Sequence, residues 1–436
     1  MRVDDNYDER GVRMNRWIAS IQKGFGKKLI RLHAWNAWLV ALLAITGLVL
    51  VGGFWREILG EVRVWVRWLH IIGGLALLVP VVYYLFLAAK HWKRLSDKPG
   101  QKFNVIVVMI LLVGWIISGI LLWLLRQVGP AVANSALFVH DLLTWVGLPY
   151  IIYHSLTRTA WLKDPKKRTI KQPVTVDKTI TDKSGTVVAT SAPTAPSPFY
   201  TRRTFLRSAI GFGLAVSIGP TFVKWLGSSL TTGGTWEQVA ASNGNKMIPD
   251  PTPLKSSAPP IGGGAQGEFR VYTVTPIPNF DNSNWDFKID GLVDKPQTWN
   301  WEQFLKLKRD VQVSDFHCVT GWSVYKNTWE GIPLSDFLKA AGVQSSATMV
   351  KFYSGDNVYT DSLTLDQAQM KDIIVAVLHD GNIIPADLGG PVRLVIPQMY
   401  AYKSVKWLNR IELIAEDHVG YWEQRGYDKD AWLPKA

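Results

Sequence analysis

Cys318 is the only cysteine among 436 residues, so no disulfide framework and no multi-cysteine zinc site can form within the chain. A lone thiolate suits a soft metal held mainly by something other than protein. Molybdenum on a pyranopterin dithiolene is such a case, because the cofactor brings two sulfurs and the protein need bring only one. The plain alternative is an inert, buried cysteine. The second set of candidate ligands is histidine. Four of the eight histidines, His33, His70, His140 and His154, lie inside apolar runs of the N-terminal half. Ionisable side chains are costly in lipid, so four of them there constitute a functional signal. His33 and His154 lie near one end of their runs, and His70 and His140 lie at matching depths from the other. His140 and His154 are 14 residues apart, which on a helix spans about 21 Å and returns almost to the same face. Two haems b stacked across a bilayer, each between two imidazoles, would fit that pattern. Any one of the four taken alone is equally a packed or interhelical hydrogen-bonding group. His91, at a basic edge, reads as solvated or facing headgroups.

The elements that must position these ligands follow from hydropathy. The apolar stretches 29–53, 62–90, 103–126 and 131–157 each reach the roughly 20 residues of a membrane span. Pro80 and Pro149 lie within two of them, which membrane helices tolerate. Lys23, Lys27, Lys28 and Arg31 precede the first span, and Lys90, Lys93, Arg94, Lys98 and Lys102 separate the second from the third. A cytoplasmic N-terminus (1–28) is therefore expected, although Arg56, Arg63 and Arg67 dilute the contrast. The net charge is +13, yet residues 235–436 hold 19 Lys+Arg against 24 Asp+Glu. The positive excess thus lies beside the apolar runs, the pattern of membrane topology and not of a nucleic-acid-binding face.

Residues 158–200, rich in Lys, Thr, Ser and Pro, read as a cytoplasmic linker. Thr201-Arg202-Arg203-Thr204-Phe205-Leu206-Arg207 and the apolar run to Leu226 follow. This segment resembles an internal twin-arginine export signal, or else is a fifth span flanked by positive-inside charges. No A-x-A cleavage pattern follows it, so 201–226 is expected to remain as an anchoring helix. A tether at 227–267, Pro/Gly-rich from Pro249 to Gly267, leads to residues 268–436. There, short β-rich runs such as Val392-Arg-Leu-Val-Ile-Pro alternate with turn signals and a few helical patterns, predicting an α+β domain outside the cytoplasmic membrane.

Two resemblances add to this reading. Residues 25–160, by their histidine placement, resemble the di-haem cytochrome b subunits of respiratory formate dehydrogenases and nickel-iron hydrogenases. The likeness implies His33 with His154 at an inner haem, His70 with His140 at an outer one, and electron exchange with membrane quinone. Residues 268–425 carry, in order, Asp315-Phe-His-Cys-Val-Thr-Gly-Trp-Ser323, Trp329-Glu-Gly-Ile-Pro-Leu334, Tyr359-Thr-Asp-Ser-Leu-Thr-Leu-Asp-Gln-Ala368, Gly389-Gly-Pro-Val-Arg-Leu-Val-Ile-Pro397 and Tyr402-Lys-Ser-Val-Lys-Trp-Leu408. These strings resemble the sulfite oxidase superfamily, in particular the bacterial branch that includes the periplasmic methionine sulfoxide reductases. The resemblance implies that Cys318 ligates molybdenum. It also implies that Asn279, Ser354, Arg393, the Ser404-Val405 backbone and Lys406 hold molybdopterin, with cations and amides suited to its phosphate. Tyr359 would position an oxo-bearing substrate or supply a proton, or is simply a packed strand tyrosine. Two positions depart from the family: Thr320 replaces a glutamate of the sulfoxide reductases, and Leu388 an asparagine that contacts the pterin.

Together these readings describe a four-helix transmembrane haem bundle with one anchoring helix, followed by an α+β sulfite oxidase-type molybdopterin domain. The expected activity is quinone-linked molybdenum oxidoreduction in the cell membrane, reducing an S- or N-oxide such as methionine sulfoxide, small or protein-bound. Sulfite oxidation towards quinone is the alternative within the class, its marker being extra arginines around the metal, and only Arg393 is placed there by resemblance. A tethered, non-catalytic binding module is the alternative outside it. The sequence leaves open whether the chain forms an oligomer and whether electrons pass within one chain.

Overall fold

The computed structural model describes residues 23–51, 62–157, 202–230 and 245–434, with a few isolated positions between them. The start of the expected cytoplasmic N-terminus, almost all of the 158–200 linker and tether residues 231–244 lie outside the described residues. The chain divides into two compact units, residues 1–141 with 227–436, and residues 142–226.

The apolar stretches are helices: α1 (Phe25–Val51), α2 (Val62–Ala76), α3 (Leu78–Arg94), α4 (Pro99–Trp123), the short α5 (Leu125–Val128), α6 (Pro130–Thr157) and α7 (Arg202–Leu230). Helices α2 and α3 run on as one candidate span, Val62–Arg94, and five helices in all are long and apolar enough to cross a membrane. Their outward faces carry large apolar side chains, with Trp38 79% and Trp65 75% exposed, a surface that only lipid covers favourably. The protein is a membrane protein. Pro99 opens α4, where its missing N–H costs nothing, and Gly129, at φ 82°, closes α5 before Pro130 starts α6. Gly73 lets α1 and α2 approach closely, since a β-carbon there would meet Leu43 Cδ2 at 3.3 Å. In the smaller unit, Trp145 of α6 packs on Phe222 and Trp225 of α7, with ring centroids 6.2 and 6.1 Å apart.

The C-terminal half is α+β, as its alternating runs predict. One five-stranded sheet joins β8 (Asn382–Ile383), β7 (Ile374–His379), β4 (Ser323–Pro333) and β3 (Asp310–His317) in that order, with β9 (Arg393–Val395) also on β7. The other follows the order β2 (Gln297–Trp299), β1 (Phe287–Gly291), β10 (Leu408–Ile414), β5 (Met349–Ser354), β6 (Thr360–Thr364), and its β1–β10 pair is parallel. Strand β7 is buried along its whole length, whereas β5 alternates buried and half-buried residues. Helix α8 (Trp301–Leu305) starts with a capping box between Asn300 and Gln303. Helix α9 (Leu334–Ala341) buries Leu334, Phe337, Leu338 and Ala341, one face at helical spacing, and ends at Gly342 with φ 68°.

The Pro/Gly-rich segment before this domain does not hang free where it is described. Residues 245–267 run along the domain: Leu254 N–H donates to Glu330 Oε2 at 3.0 Å, Ala265 N–H to Asp380 Oδ2 at 2.7 Å, and Gln266 bridges Tyr325. Side-chain acceptors satisfy its backbone while Met247 and Ala265 enter the core, so low periodicity here marks a strap bound to the domain and not a flexible tether.

Candidate functional site

Strands β3 and β4 form a hairpin whose turn carries Cys318. The Cys318 N–H donates to Trp322 O at 2.9 Å and Gly321 N–H to Cys318 O at 3.0 Å. Gly321 sits at φ 97°, in the left-handed region. Thr320 Oγ1 donates to Cys318 Sγ at 3.2 Å, so the residue that departs from the family pattern serves the sulfur directly. Cys318 opens into a cavity lined by both polar and aromatic side chains.

Of the residues predicted to surround it, Ser354, Tyr359, Arg393, Ser404 and Lys406 line this cavity with Cys318. Arg393 is 2% exposed. Its Nη1 donates to Leu388 O at 2.7 Å, and its guanidinium lies 4.8 Å from the Phe316 ring centroid. Leu388 thus offers its carbonyl where the family has an amide side chain. Burial pushes Arg393 down to about 9. Lys406 Nζ donates to Tyr272 O at 2.9 Å and Asp387 O at 2.6 Å. Gly389 lies against it at φ 101°, where a β-carbon would come within 2.8 Å of Lys406 Cβ. Ser404 Oγ accepts from Ile396 N–H at 3.0 Å, and Ser354 Oγ from Asp356 N–H at 3.3 Å.

Two expectations, those at Asn279 and Tyr359, are placed differently, while the Val405 backbone follows the lining residue Ser404. Asn279 is exposed and outside the cavity, its carbonyl accepting from Asn284 Nδ2 at 3.2 Å. Val405 is fully buried in the core, and its carbonyl accepts from Leu394 N–H at 2.8 Å. Tyr359 reaches the cavity, but its hydroxyl donates to Tyr402 O, and burial holds its pKa well above the tyrosine range. It is built as a packed tyrosine, a poor proton donor. Conversely, sequence reasoning missed Arg63, Phe269, Arg270, Tyr272 and Tyr427, which line the same cavity from α2, the strap's end and the C-terminal segment. Spacing gave no signal for them, since the chain is far from Cys318 at all five.

The cavity suits a molybdopterin. Arg393 Nε and Trp322 Nε1 are buried and have no partner among the described residues, an arrangement that acceptor-rich pterin and phosphate groups would satisfy.

In the bundle, His70 and His140 face each other with ring centroids 6.3 Å apart. Two metal–imidazole bonds of about 2 Å each, as at zinc, fit within that separation. Thr46 Oγ1 donates to Leu42 O at 2.8 Å and lies 2.8 Å from His70 Nδ1. Ser118 Oγ likewise donates to Gly114 O at 2.7 Å and lies 2.9 Å from His140 Nδ1. Each hydroxyl has spent its hydrogen on the backbone, so each accepts from Nδ1–H and leaves the Nε2 lone pair for a metal. His33 is exposed on α1, and His154 stacks on Tyr150 at 6.3 Å. His91, expected to be solvated or to face headgroups, lies 3.0 Å from Tyr84 OH and packs on Phe25 at 6.0 Å.

The hairpin turn sits on the end of the bundle formed by Leu122, Asn134 and Leu137. Asn134 Oδ1 accepts from Ser323 N–H at 3.2 Å, and a β-carbon at Gly321 would lie 2.8 Å from Leu122 Cδ2. Arg270 pairs with Asp141 at 2.7 Å, one residue beyond His140. Arg126 pairs with Asp428 and donates to Tyr402 OH at 3.2 Å.

Comparison with known proteins agrees with both halves. Residues 274–422 match the family described as oxidoreductase molybdopterin binding domain, and residues 24–171 match prokaryotic cytochrome b561. An uncharacterised oxidoreductase of Bacillus subtilis, YuiH, is 34% identical over 167 residues, 38% of this chain and 84% of that protein. The putative protein-methionine-sulfoxide reductase subunit YedZ1 of Azospira oryzae is 30% identical over 34% of this chain and 56% of its own length. The protein-methionine-sulfoxide reductase catalytic subunit MsrP of Campylobacter jejuni is 30% identical over 33% and 54%. The chain therefore spans about half the length of these two relatives. With a lone thiol in a lined cavity and facing histidines in the bundle, the chain belongs to the molybdopterin-binding oxidoreductases and carries that domain fused to a cytochrome b561-type membrane bundle.

Proposed function

We propose that the protein reduces an S-oxide, such as methionine sulfoxide, outside the cytoplasmic membrane with electrons drawn from membrane quinol through two haems b. The observation that carries this reading is the seating of the Cys318 hairpin on the end of the bundle that bears His70 and His140. When bound, the molybdenum cofactor supplies two-electron oxygen-atom exchange, and haem supplies one-electron steps. Cys318 is the single protein ligand to molybdenum, with Thr320 holding its sulfur in place. Arg393, Lys406, Ser354 and Ser404 hold the pterin. Trp322 and Phe316 wall the cleft against water. His70 with His140 serves the outer haem, and the resemblance to di-haem cytochrome b subunits pairs His33 with His154 at the inner one. The lysine-rich loops put the N-terminus in the cytoplasm, and Arg202-Arg203 marks the C-terminal domain for export. Relatives described as methionine sulfoxide reductases support the substrate and direction.

The test is the haem α-band of purified protein. Methionine sulfoxide is expected to reoxidise quinol-reduced haem, whereas reduction of oxidised haem by sulfite would reverse the direction and overturn the reading.

A further inference from the structure

The face of the domain that holds Cys318 is the face seated on the bundle. Tyr272, Tyr402, Tyr427 and Arg270 line the Cys318 cavity, and each is held by a bundle side chain. Tyr272 OH accepts from Arg63 Nη2 at 3.1 Å, and Tyr427 OH accepts from Arg67 Nη1 at 3.2 Å, both arginines lying on α2. Tyr402 OH accepts from Arg126 Nη2 of α5 at 3.2 Å, and Arg270 pairs with Asp141 of α6 at 2.7 Å. Arg126 also pairs with Asp428, the residue after Tyr427. Between these polar clamps the contact is apolar. Leu125 packs on the same core cluster as Val319, and Leu137 packs on the same cluster as Cys318. Ala133 of α6 is 1% exposed, and a β-carbon at Gly321 would lie 3.6 Å from its carbonyl oxygen. Clamps from α2, α5 and α6 therefore hold the rim of the cavity against the bundle.

Closure of this kind sorts substrates by size. Surfaces joined by contacts of 2.7–3.2 Å leave no slot for a polypeptide main chain, which stands about 4.8 Å from its neighbour even in a sheet. A methionine sulfoxide within a protein carries chain on both sides, so it would have to part several clamps at once. A free molecule needs only one brief local gap, such as the swing of a single side chain. We propose that the bundle end is a lid on the Cys318 cavity and limits the substrate to small, free S-oxides. Methionine sulfoxide in proteins is excluded while the domain is seated. This deepens the proposed reduction and rests on it.

The test uses the full chain loaded with both cofactors in detergent, with a soluble one-electron dye as donor so that turnover does not depend on the haem path. Free methionine sulfoxide is compared with oxidised casein, a disordered protein that presents its sulfoxides without a fold to shield them. Per sulfoxide, kcat/KM is expected to favour the free form by about tenfold or more. Arg67→Ala with Arg126→Glu removes two clamps whose own side chains do not line the cavity. That double variant should reduce casein sulfoxide about tenfold faster and free sulfoxide within about twofold of the unaltered rate. Hydrogen exchange gives a readout apart from activity. The Ser323 amide, which donates to Asn134 Oδ1, should exchange slowly in the unaltered protein and faster in the variant, while β7 stays equally protected in both. Should Ser323 remain protected, Arg270→Asp breaks a further clamp and carries the same expected gain with casein. Casein sulfoxide reduced as fast as the free form by the unaltered protein, or no gain with casein once Ser323 exchanges faster, would overturn the proposal. If neither sulfoxide is turned over while Ser323 stays protected, the reduction fails as the function and the closed lid stands.

Discussion

Thr320 Oγ1 lies 3.2 Å from Cys318 Sγ in a turn held by two backbone hydrogen bonds, so the sulfur points one way before any metal arrives. Pre-set ligands of this kind lower the reorganisation that binding requires. Cys318→Ser is therefore expected to remove the molybdenum EPR signal and turnover while leaving haem absorbance intact. A retained signal would place the metal elsewhere. A second group of residues makes stability depend on pH. Lys403 Nζ donates to Asp361 Oδ1 at 2.8 Å and to Glu423, all three side chains being 1–2% exposed. Two carboxylates share one ammonium, and burial with that like charge pushes Asp361 up to about 7 despite Lys403. An unfolded aspartate releases its proton near pH 3.9. Between about pH 4 and 7 the folded state thus holds a proton that the unfolded state has lost, and stability falls as pH rises, by up to about 1.4 kcal/mol per unit. Thermal melts from pH 5 to 8 should show this decline, and Asp361→Asn should flatten it. Parallel curves for the two proteins would refute the assignment.

At the scale of elements, the helices α1 and α4 contribute a hydroxyl each to a histidine on the neighbouring helix. Hydrogen bonding at Nδ1 raises the basicity of the opposite nitrogen and favours the more oxidised metal. Removing it in Ser118→Ala is expected to raise the midpoint potential of one haem by tens of millivolts, about 30–60 mV if the bond is worth roughly 1 kcal/mol. Redox titration with unchanged potentials would show that Ser118 only packs. The four spans and the placement of His70 opposite His140 were legible because apolar length and histidine depth carry them. Thr46 and Ser118 were not, since a hydroxyl bonded to its own helix at i−4 is common in apolar helices and leaves no pattern. The Cys318 string marked the site, but not the β3–β4 hairpin that carries it. The strap at 245–267 could not be read either, because its order comes from Glu330, Asp380 and Thr328 on distant strands. Asn279 failed for the converse reason, a loop position whose alignment no strand pins down.

The molecule as a whole joins a one-electron bundle to a two-electron centre, and their seating decides how electrons cross. Domain interfaces within a chain are by default loose and polar. This one ties Arg270, which lines the cavity, to Asp141, the residue after His140, and sets Gly321 against Leu122, Ala133 and Leu137. Asp141 is 17% exposed in its side chain, so the pair is shielded from solvent on the bundle side and breaking it strands a charge. A covalently joined donor and acceptor also present each other at high effective concentration. Haem reoxidation by substrate should therefore be first order, with a rate constant unchanged over a hundredfold range of protein concentration. Arg270→Asp should slow it about tenfold through loss of the seated geometry. Combining it with Asp141→Arg should recover much of the rate, because the reversed pair restores the attraction that each single change destroys. A rate constant that rises with concentration would mean that electrons reach molybdenum from a second chain. Failure of the reversed pair to recover would mean that Arg270 acts on the cofactor and not on the seating.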